Sequence, residues 1–274
     1  MLTTQELDAS ANRRSFINVQ SKRLEYIRLP PATPRTEATP IVFLHEGLGS
    51  IALWRDFPQR VADATGCEAI VYSRYGYGKS AALQAARPVS FLHDEALQAL
   101  PELLDKLQIN RPILFGHSDG GSIALIHAGS RIRPVSGLIV LAPHVMVEEI
   151  GLANIQQVRE NYLTTDLKQR LARYHDDPDS AFWGWNDAWL HPDFRAWNIE
   201  EYLPPTPCPV LAIQGEQDEY GTLAQLERIA AKAPEVELLK LNPCGHSPHK
   251  DQPEAVLQAT RRFVNHLLGT SGLR

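Results

Sequence analysis

From Ile41 onward the chain repeats one pattern: a short, unbroken apolar run followed by a longer stretch of helical character. The runs are Ile41–Leu44, Ala69–Tyr72, Ile113–Phe115, Gly137–Leu141, Val210–Ile213 and Val236–Leu241. Strands carry apolar residues at every position when helices cover both faces of their sheet, as in parallel sheets. The intervening segments Trp54–Thr65, Phe91–Leu107 and Gly121–Arg131 have helical length and spacing, and Pro101 should kink the second. Val256, Ala259, Phe263 and Leu267 lie on one face of a C-terminal helix. Upstream, Phe16–Val19 and Arg23–Leu29 alternate apolar and polar residues, as a half-exposed antiparallel pair does, and the proline-rich LPPATPRTEATP loop follows them. The pattern predicts an α/β sheet, mostly parallel and flanked by helices, with an antiparallel edge.

One interval breaks the rhythm. About 65 residues between Ala142 and Pro209 carry no strand signal, far beyond an ordinary connection. They hold four of the five tryptophans, Trp183, Trp185, Trp189 and Trp197. We read residues 143–204 as a helical cap over the sheet, and residues 1–142 with 205–274 as the core beneath it. The 27 basic and 32 acidic residues leave a formal charge of −5, which gives no electrostatic attraction to nucleic acid or an anionic membrane. Neither is an expected partner, and no apolar run is long enough to cross a bilayer. The three cysteines (Cys67, Cys208, Cys244) form no CxxC pair, so neither a disulfide framework nor a zinc site is expected. The N-terminal MLTTQELDASANRRSF lacks the apolar core of a secretion signal, which makes the cytoplasm the expected compartment.

The chemistry concentrates in Ile113–Ala124, which fits G-x-S-x-G as Gly116-His117-Ser118-Asp119-Gly120 between an apolar run and a helical one. A sharp strand-to-helix turn there exposes Ser118 Oγ at the positive end of the helix and makes Asp119 N–H an oxyanion donor. A serine hydroxyl is a poor nucleophile without a base, and the base needs an orienting carboxylate. Downstream, the run ending at Ile213 leads into Gln-Gly-Glu-Gln-Asp-Glu-Tyr220, where Asp218 is the expected acid and Glu216 and Glu219 compete with it. The run ending at Leu241 leads into Asn-Pro-Cys-Gly-His-Ser-Pro-His249, where His246 is the expected base and His249 the alternative. Ile41–Leu44 enters His45-Glu-Gly-Leu-Gly-Ser50, whose backbone should supply a second oxyanion donor, Gly47 first and Leu48 next. His45 reads as a buried hydrogen-bonding scaffold. HEGLG is not HExxH, and His175-Asp-Asp177 lacks a partner motif, so no metal site is expected.

Together HEGLGS, Ser73-Arg-Tyr-Gly-Tyr-Gly-Lys-Ser80, GHSDGG, GEQDEYG and CGHSPH resemble the α/β-hydrolase superfamily, in its capped esterase-type branch, over nearly the whole chain. The resemblance implies an eight-stranded core sheet, a helical cap after the sixth strand, no cofactor, and Ser118, Asp218 and His246 as nucleophile, acid and base. Two positions depart from the family pattern. Glu46 stands where a glycine usually follows the histidine, and Asp119 stands where many members have an apolar residue. A carboxylate at 119 should point away from the oxyanion, which it would otherwise repel. Serine at the elbow also separates the chain from the haloalkane dehalogenases and epoxide hydrolases, which use aspartate there. The expected reaction is acyl transfer from a small-molecule ester, small or aryl, to water. Thioester or lactone hydrolysis and ligand sensing on a hydrolase scaffold are the alternatives. Leu48, His144, Met146, Trp183, Trp185 and Trp189 are the expected substrate contacts, with Phe194 and Trp197 as further pocket candidates; the alternative for these cap aromatics is that they fix the cap to the core. Arg159, Lys168, Arg170 and Arg173 read as a solvated face.

Overall fold

A computed structural model describes residues 14–36 and 38–269. Residues 1–13 of the segment read for a secretion signal lie outside the described residues. Strands β1 (Ser15–Val19), β2 (Lys22–Leu29), β3 (Ile41–Leu44), β4 (Ala69–Tyr72), β5 (Ile113–His117), β6 (Gly137–Leu141), β7 (Val210–Gly215) and β8 (Val236–Leu241) form one sheet in the order β1-β2-β4-β3-β5-β6-β7-β8. β2 runs antiparallel to both β1 and β4, and every other pairing is parallel.

The unbroken apolar runs follow from burial on both faces. Val42 and Leu44 of β3 join one core layer, Ile41 and Phe43 the other, and β3 through β7 are buried at every position. β8 differs: Glu237, Leu238 and Lys240 are exposed, because this strand closes the edge of the sheet. Helix α1 (Phe57–Thr65) packs on one face beside the C-terminal helix α9 (Pro253–Leu267). The opposite face carries α2 (Phe91–Asp94, Glu95–Ala99 and Leu100–Lys106 in succession) and α3 (Asp119–Ser130). The middle segment of α2 is a π turn in which Leu100 N–H bonds Glu95 O. Its wider winding precedes Pro101, whose ring would crowd a regular turn, so the expected kink takes this form.

Between β6 and β7 come α4 (Glu149–Thr164), α5 (Leu167–Leu171) and α6 (Pro178–Trp189), then 3₁₀ turns at Pro192–Ala196 and Glu200–Tyr202. Asp177 caps α6 by accepting the Ser180 N–H at 2.9 Å. The one sheet-like contact described here is a bridge between Met146 and Asn198. α7 (Ala224–Lys232) follows β7, and α8 (Pro248–Asp251) precedes α9. Among the described residues no helix is long and apolar enough to cross a membrane.

Candidate active site

Ser118 sits between the end of β5 and the start of α3 with φ 53° and ψ −118°. A non-glycine residue holds such angles only where its surroundings over-determine them. The crossing chains do so here. A Cβ on Gly116 would lie 2.3 Å from Gly120 O, and one on Gly120 would lie 2.0 Å from Leu44 O. The two glycines of G-x-S-x-G thus let strand, turn and helix cross at backbone distance.

Two loops at the same end of the sheet meet this turn, one after β7 and one after β8. His246 Nε2 lies 3.0 Å from Ser118 Oγ, and His246 Nδ1 lies 2.8 Å from Asp218 Oδ1. Asp218 Oδ1 also accepts the Tyr220 N–H at 2.9 Å, and Oδ2 accepts from Gln214 Nε2 at 3.1 Å. Burial alone would push the Asp218 carboxyl up. The hydrogen bond and charge of His246, with the Tyr220 N–H, outweigh it and hold the group below the usual carboxylate range. A carboxylate facing Nδ1 fixes the proton there and leaves the Nε2 lone pair toward Ser118.

The competitors lie elsewhere. Glu219 accepts the backbone N–H of His246 at 3.2 Å, and Glu216 accepts from Asn242 at 2.5 Å. His249 packs 4.8 Å from the Trp54 ring and 4.9 Å from His117, and burial holds its pKa well below the ordinary histidine value.

The His45–Ser50 loop, where the sequence leads one to expect an oxyanion donor, is fixed from behind. Glu46 O accepts from His45 Nδ1 (2.7 Å), Arg74 Nη2 (2.9 Å) and Gly49 N–H (3.0 Å). His45 Nε2 accepts the Arg74 N–H at 3.0 Å, so Nδ1 carries the single proton of a neutral ring; burial, then the Arg74 charge, keep its pKa low. The 46–47 peptide is trans, so pinning its carbonyl turns the Gly47 N–H the opposite way. Among the described residues neither Gly47 N–H nor Asp119 N–H bonds to protein. His175 engages both ring nitrogens with backbone: Nε2 donates to Leu48 O at 3.0 Å, and Nδ1 accepts the Gly78 N–H at 2.9 Å.

Both unusual acids have specific partners. Glu46 Oε2 lies 3.5 Å from His117 Nδ1 and Oε1 lies 3.6 Å from Lys250 Nζ, while His117 Nε2 donates to His246 O at 2.7 Å. Burial pushes the Glu46 carboxyl up, but His117 and Lys250 hold it well below its ordinary value. Asp119 turns toward the insertion. Its Oδ1 accepts from Trp189 Nε1 at 3.0 Å, and Oδ2 lies 3.6 Å from Arg74 Nη2. For Asp119 burial wins, and its carboxyl is raised despite Arg74 and Trp189.

The expected substrate contacts divide. A Cβ on Gly47 would lie 2.1 Å from Trp185 Nε1, so this indole rests on the oxyanion loop. The His144 ring stands 5.7 Å from His246 and 5.2 Å from Trp189, and burial with the nearby His246 lowers its pKa to about 3. Met146 bonds through its backbone N–H (3.4 Å) and O (3.1 Å) to the Gln225 amide. Trp183 is not brought to Ser118 by any described contact; its ring packs on Tyr162 (5.5 Å), Phe182 (5.0 Å) and Arg159 (5.0 Å). Trp185 lies against Gly47 and Trp189 against Asp119, and Ser118 is 7% exposed. Sequence reasoning missed Arg74 and Tyr220, whose ring lies 4.7 Å from His246. Both stand inside quoted motifs, Arg74 as the charged residue one position past Ser73 and Tyr220 two positions past Asp218.

Residues 41–259 match the alpha/beta hydrolase family. The sn-1-specific diacylglycerol lipase ABHD11 of Danio rerio is 29% identical over 140 residues, 50% of this chain and 43% of the lipase. The chain thus spans less than half the length of that relative. Esterase YbfF of Escherichia coli (strain K12) is 26% identical over 188 residues, covering 61% of this chain and 73% of the esterase. The crystal structure of proline iminopeptidase from Mycobacterium smegmatis superimposes with a TM-score of 0.76 at 18% identity, over 94% of this chain and 100% of the other, a likeness of fold.

Proposed function

Because this chain belongs to the alpha/beta hydrolase family, we propose that it hydrolyses small carboxylic esters, aryl esters among them, through an acyl-serine intermediate. The observation that carries the reading is the hydrogen-bonded line Ser118–His246–Asp218, with 3.0 Å and 2.8 Å between its partners. Ser118 Oγ attacks the ester carbonyl carbon as His246 Nε2 takes the hydroxyl proton. Asp218 holds the ring in the tautomer that leaves Nε2 free and stabilises the imidazolium that forms. Negative charge on the tetrahedral oxygen is met by the N–H groups of Gly47 and Asp119; such a donor contributes on the order of 10²–10³ in kcat. Collapse expels the alcohol, which receives the proton from His246. Water then attacks the acyl-serine by the same base, releasing the acid and restoring Ser118.

Residues 143–204 act as a lid in this reading. The aromatic surfaces of Trp185 against Gly47, Trp189 against Asp119 and His144 beside His246 flank the residues that act in this scheme, which favours flat or short acyl and leaving groups. No metal or cofactor enters the scheme. The test is labelling of the full chain with a fluorophosphonate, followed by peptide mapping. We expect one adduct, on Ser118, and turnover of p-nitrophenyl acetate that Ser118→Ala abolishes. A chain that takes no adduct at Ser118 overturns the serine-hydrolase reading. Faster turnover of acyl-CoAs or lactones than of aryl esters overturns the substrate class alone.

A further inference from the structure

A cavity of about 390 Å³ lies away from Ser118, between the β1–β2 hairpin, the Ala81–Pro88 loop and the start of α2. Its volume sits at the small end of the roughly 300–1,000 Å³ range of small-molecule sites. Leu24, Leu83, Phe91 and Ala99 supply apolar wall, and the rim is formed by the exposed Gln84–Ala86 segment and Pro88. Four charged residues line it, Lys22 and Arg87 against Asp94 and Glu95, so the lining carries no net charge.

The buried pair among them is not closed. Arg87 Nη1 stands 3.8 Å from Glu95 Oε1, beyond hydrogen-bond reach, with the two side chains only 5% and 8% exposed. The other end of the guanidinium is spent, since Nη2 donates to Tyr75 O. Arg87 Nε and Glu95 Oε2 are buried without a hydrogen-bond partner among the described residues, so both members of the pair are underpaired. A group with an acceptor and a donor side by side would satisfy both, its carbonyl or hydroxyl oxygen accepting from Arg87 and its N–H or O–H donating to Glu95. An anion would meet Asp94 and Glu95, and a cation would meet Lys22 and Arg87, so neutrality follows from the lining. The wall is also part of the lid contact: Leu83 N–H bonds Ser180 Oγ at 2.8 Å, and a Cβ on Gly184 would lie 2.3 Å from Leu83 Cδ1.

We propose that this cavity is a second ligand site, separate from Ser118, for a small neutral molecule with an apolar body and an amide or hydroxyl end. Hexanamide is the probe and hexanoate the charged comparator, titrated by calorimetry or ligand-observed NMR against the full chain. Saturable one-to-one binding of hexanamide is expected, with a Kd on the order of 1–10 mM for a ligand of eight non-hydrogen atoms. Hexanoate should bind at least about ten-fold more weakly, a factor worth about 1.4 kcal/mol. Ala99→Phe fills the cavity, and Ala86→Trp, at an exposed rim position, blocks it without touching the core; either should weaken hexanamide about ten-fold or more. Prior reaction of Ser118 with the fluorophosphonate should leave hexanamide binding unchanged. The proposal is overturned by no saturable binding, by equal binding of hexanoate, by binding indifferent to both variants, or by binding lost on phosphonylation. A chain that takes no phosphonate would fail the esterase reading, while the two cavity variants would still decide this one.

Discussion

Trp189→Phe removes a single neutral donor from a buried carboxylate. In the native chain the Trp189 indole N–H bonds Asp119 Oδ1 at 3.0 Å, and among the described residues Oδ2 has no hydrogen-bond partner and lies 3.6 Å from Arg74 Nη2. A hydrogen bond to a charged group contributes roughly 1.5–3 kcal/mol. Trimming indole to phenyl in a packed contact costs about 1 kcal/mol more. The expected loss is therefore about 2.5–4 kcal/mol. Per-residue averages give this chain an unfolding entropy of about 0.6 kcal/mol/K, so Tm should fall by about 4–7 °C.

The pH dependence has a definite sign. Burial already raises the Asp119 carboxyl in the folded state, and losing the donor raises it further. A group whose folded pKa lies above its unfolded value binds its extra proton in the folded state, so stability falls as pH rises through the folded pKa. The deficit of the variant should therefore be larger at pH 8 than at pH 5. Urea melts at both pH values on a cycle of Trp189→Phe, Asp119→Ala and the double variant isolate the pair. A coupling of at least about 1 kcal/mol at pH 8 is expected. Coupling below about 0.5 kcal/mol, the level of independent sites, or a deficit larger at pH 5, would refute the reasoning.

His246→Ala should lower kcat for p-nitrophenyl acetate on the order of 10⁴-fold while sparing Tm, whereas His249→Ala, packed against Trp54 and Phe57, should cost stability of about 2–4 kcal/mol and spare kcat. The reverse split would exchange their roles. Asp218→Asn should lower kcat on the order of 10⁴-fold. Because the native Asp218 carboxyl is held low, its stabilising contribution is complete above the unfolded carboxylate pKa of about 4 and is lost as pH falls through the folded value. Acid urea melts of the variant should lack that part of the slope. Glu46→Gln keeps the shape but removes the charge facing His117 and Lys250. It should lower kcat roughly ten-fold with KM unchanged, through a looser His246 carbonyl; an unchanged kcat would show that the His117–His246 contact does not depend on the Glu46 charge.

The core was legible because burial on both faces writes itself into consecutive residues. Ile41–Leu44 through Val210–Ile213 could hardly be anything but interior strands. The elbow was legible because backbone crossing at Gly116 and Gly120 leaves room only for hydrogen. What was not legible depends on side-chain direction. Trp183, Trp185 and Trp189 share one helix, yet from sequence alone nothing separated the two that face Gly47 and Asp119 from the one that packs on Arg159. Helical geometry does so in hindsight: 185 and 189 are one turn apart, and 183 lies on the opposite side.

Arg74 was invisible for a deeper reason. A lone arginine after a strand is ordinarily a surface residue; here it is fully buried and serves two loops at once. One guanidinium nitrogen donates to the carbonyls of His45 (3.3 Å) and Glu46 (2.9 Å) and lies 3.6 Å from the Asp119 carboxylate. The two departures from the family pattern, Glu46 and Asp119, therefore stand on either side of the same cation, through a backbone carbonyl in one case and a carboxylate in the other. Two acids beside the proposed oxyanion site should weaken it by Coulomb repulsion unless each is neutralised locally. Lys250 does this for Glu46 and Arg74 does it for Asp119, whose Oδ1 also accepts the neutral Trp189 N–H. The same Arg74 contact holds the Glu46 carbonyl back and so turns the Gly47 N–H outward. On the proposed function, the acid at 119 is thus coupled through Arg74 to the geometry of the Gly47 N–H, the opposite oxyanion donor in that scheme.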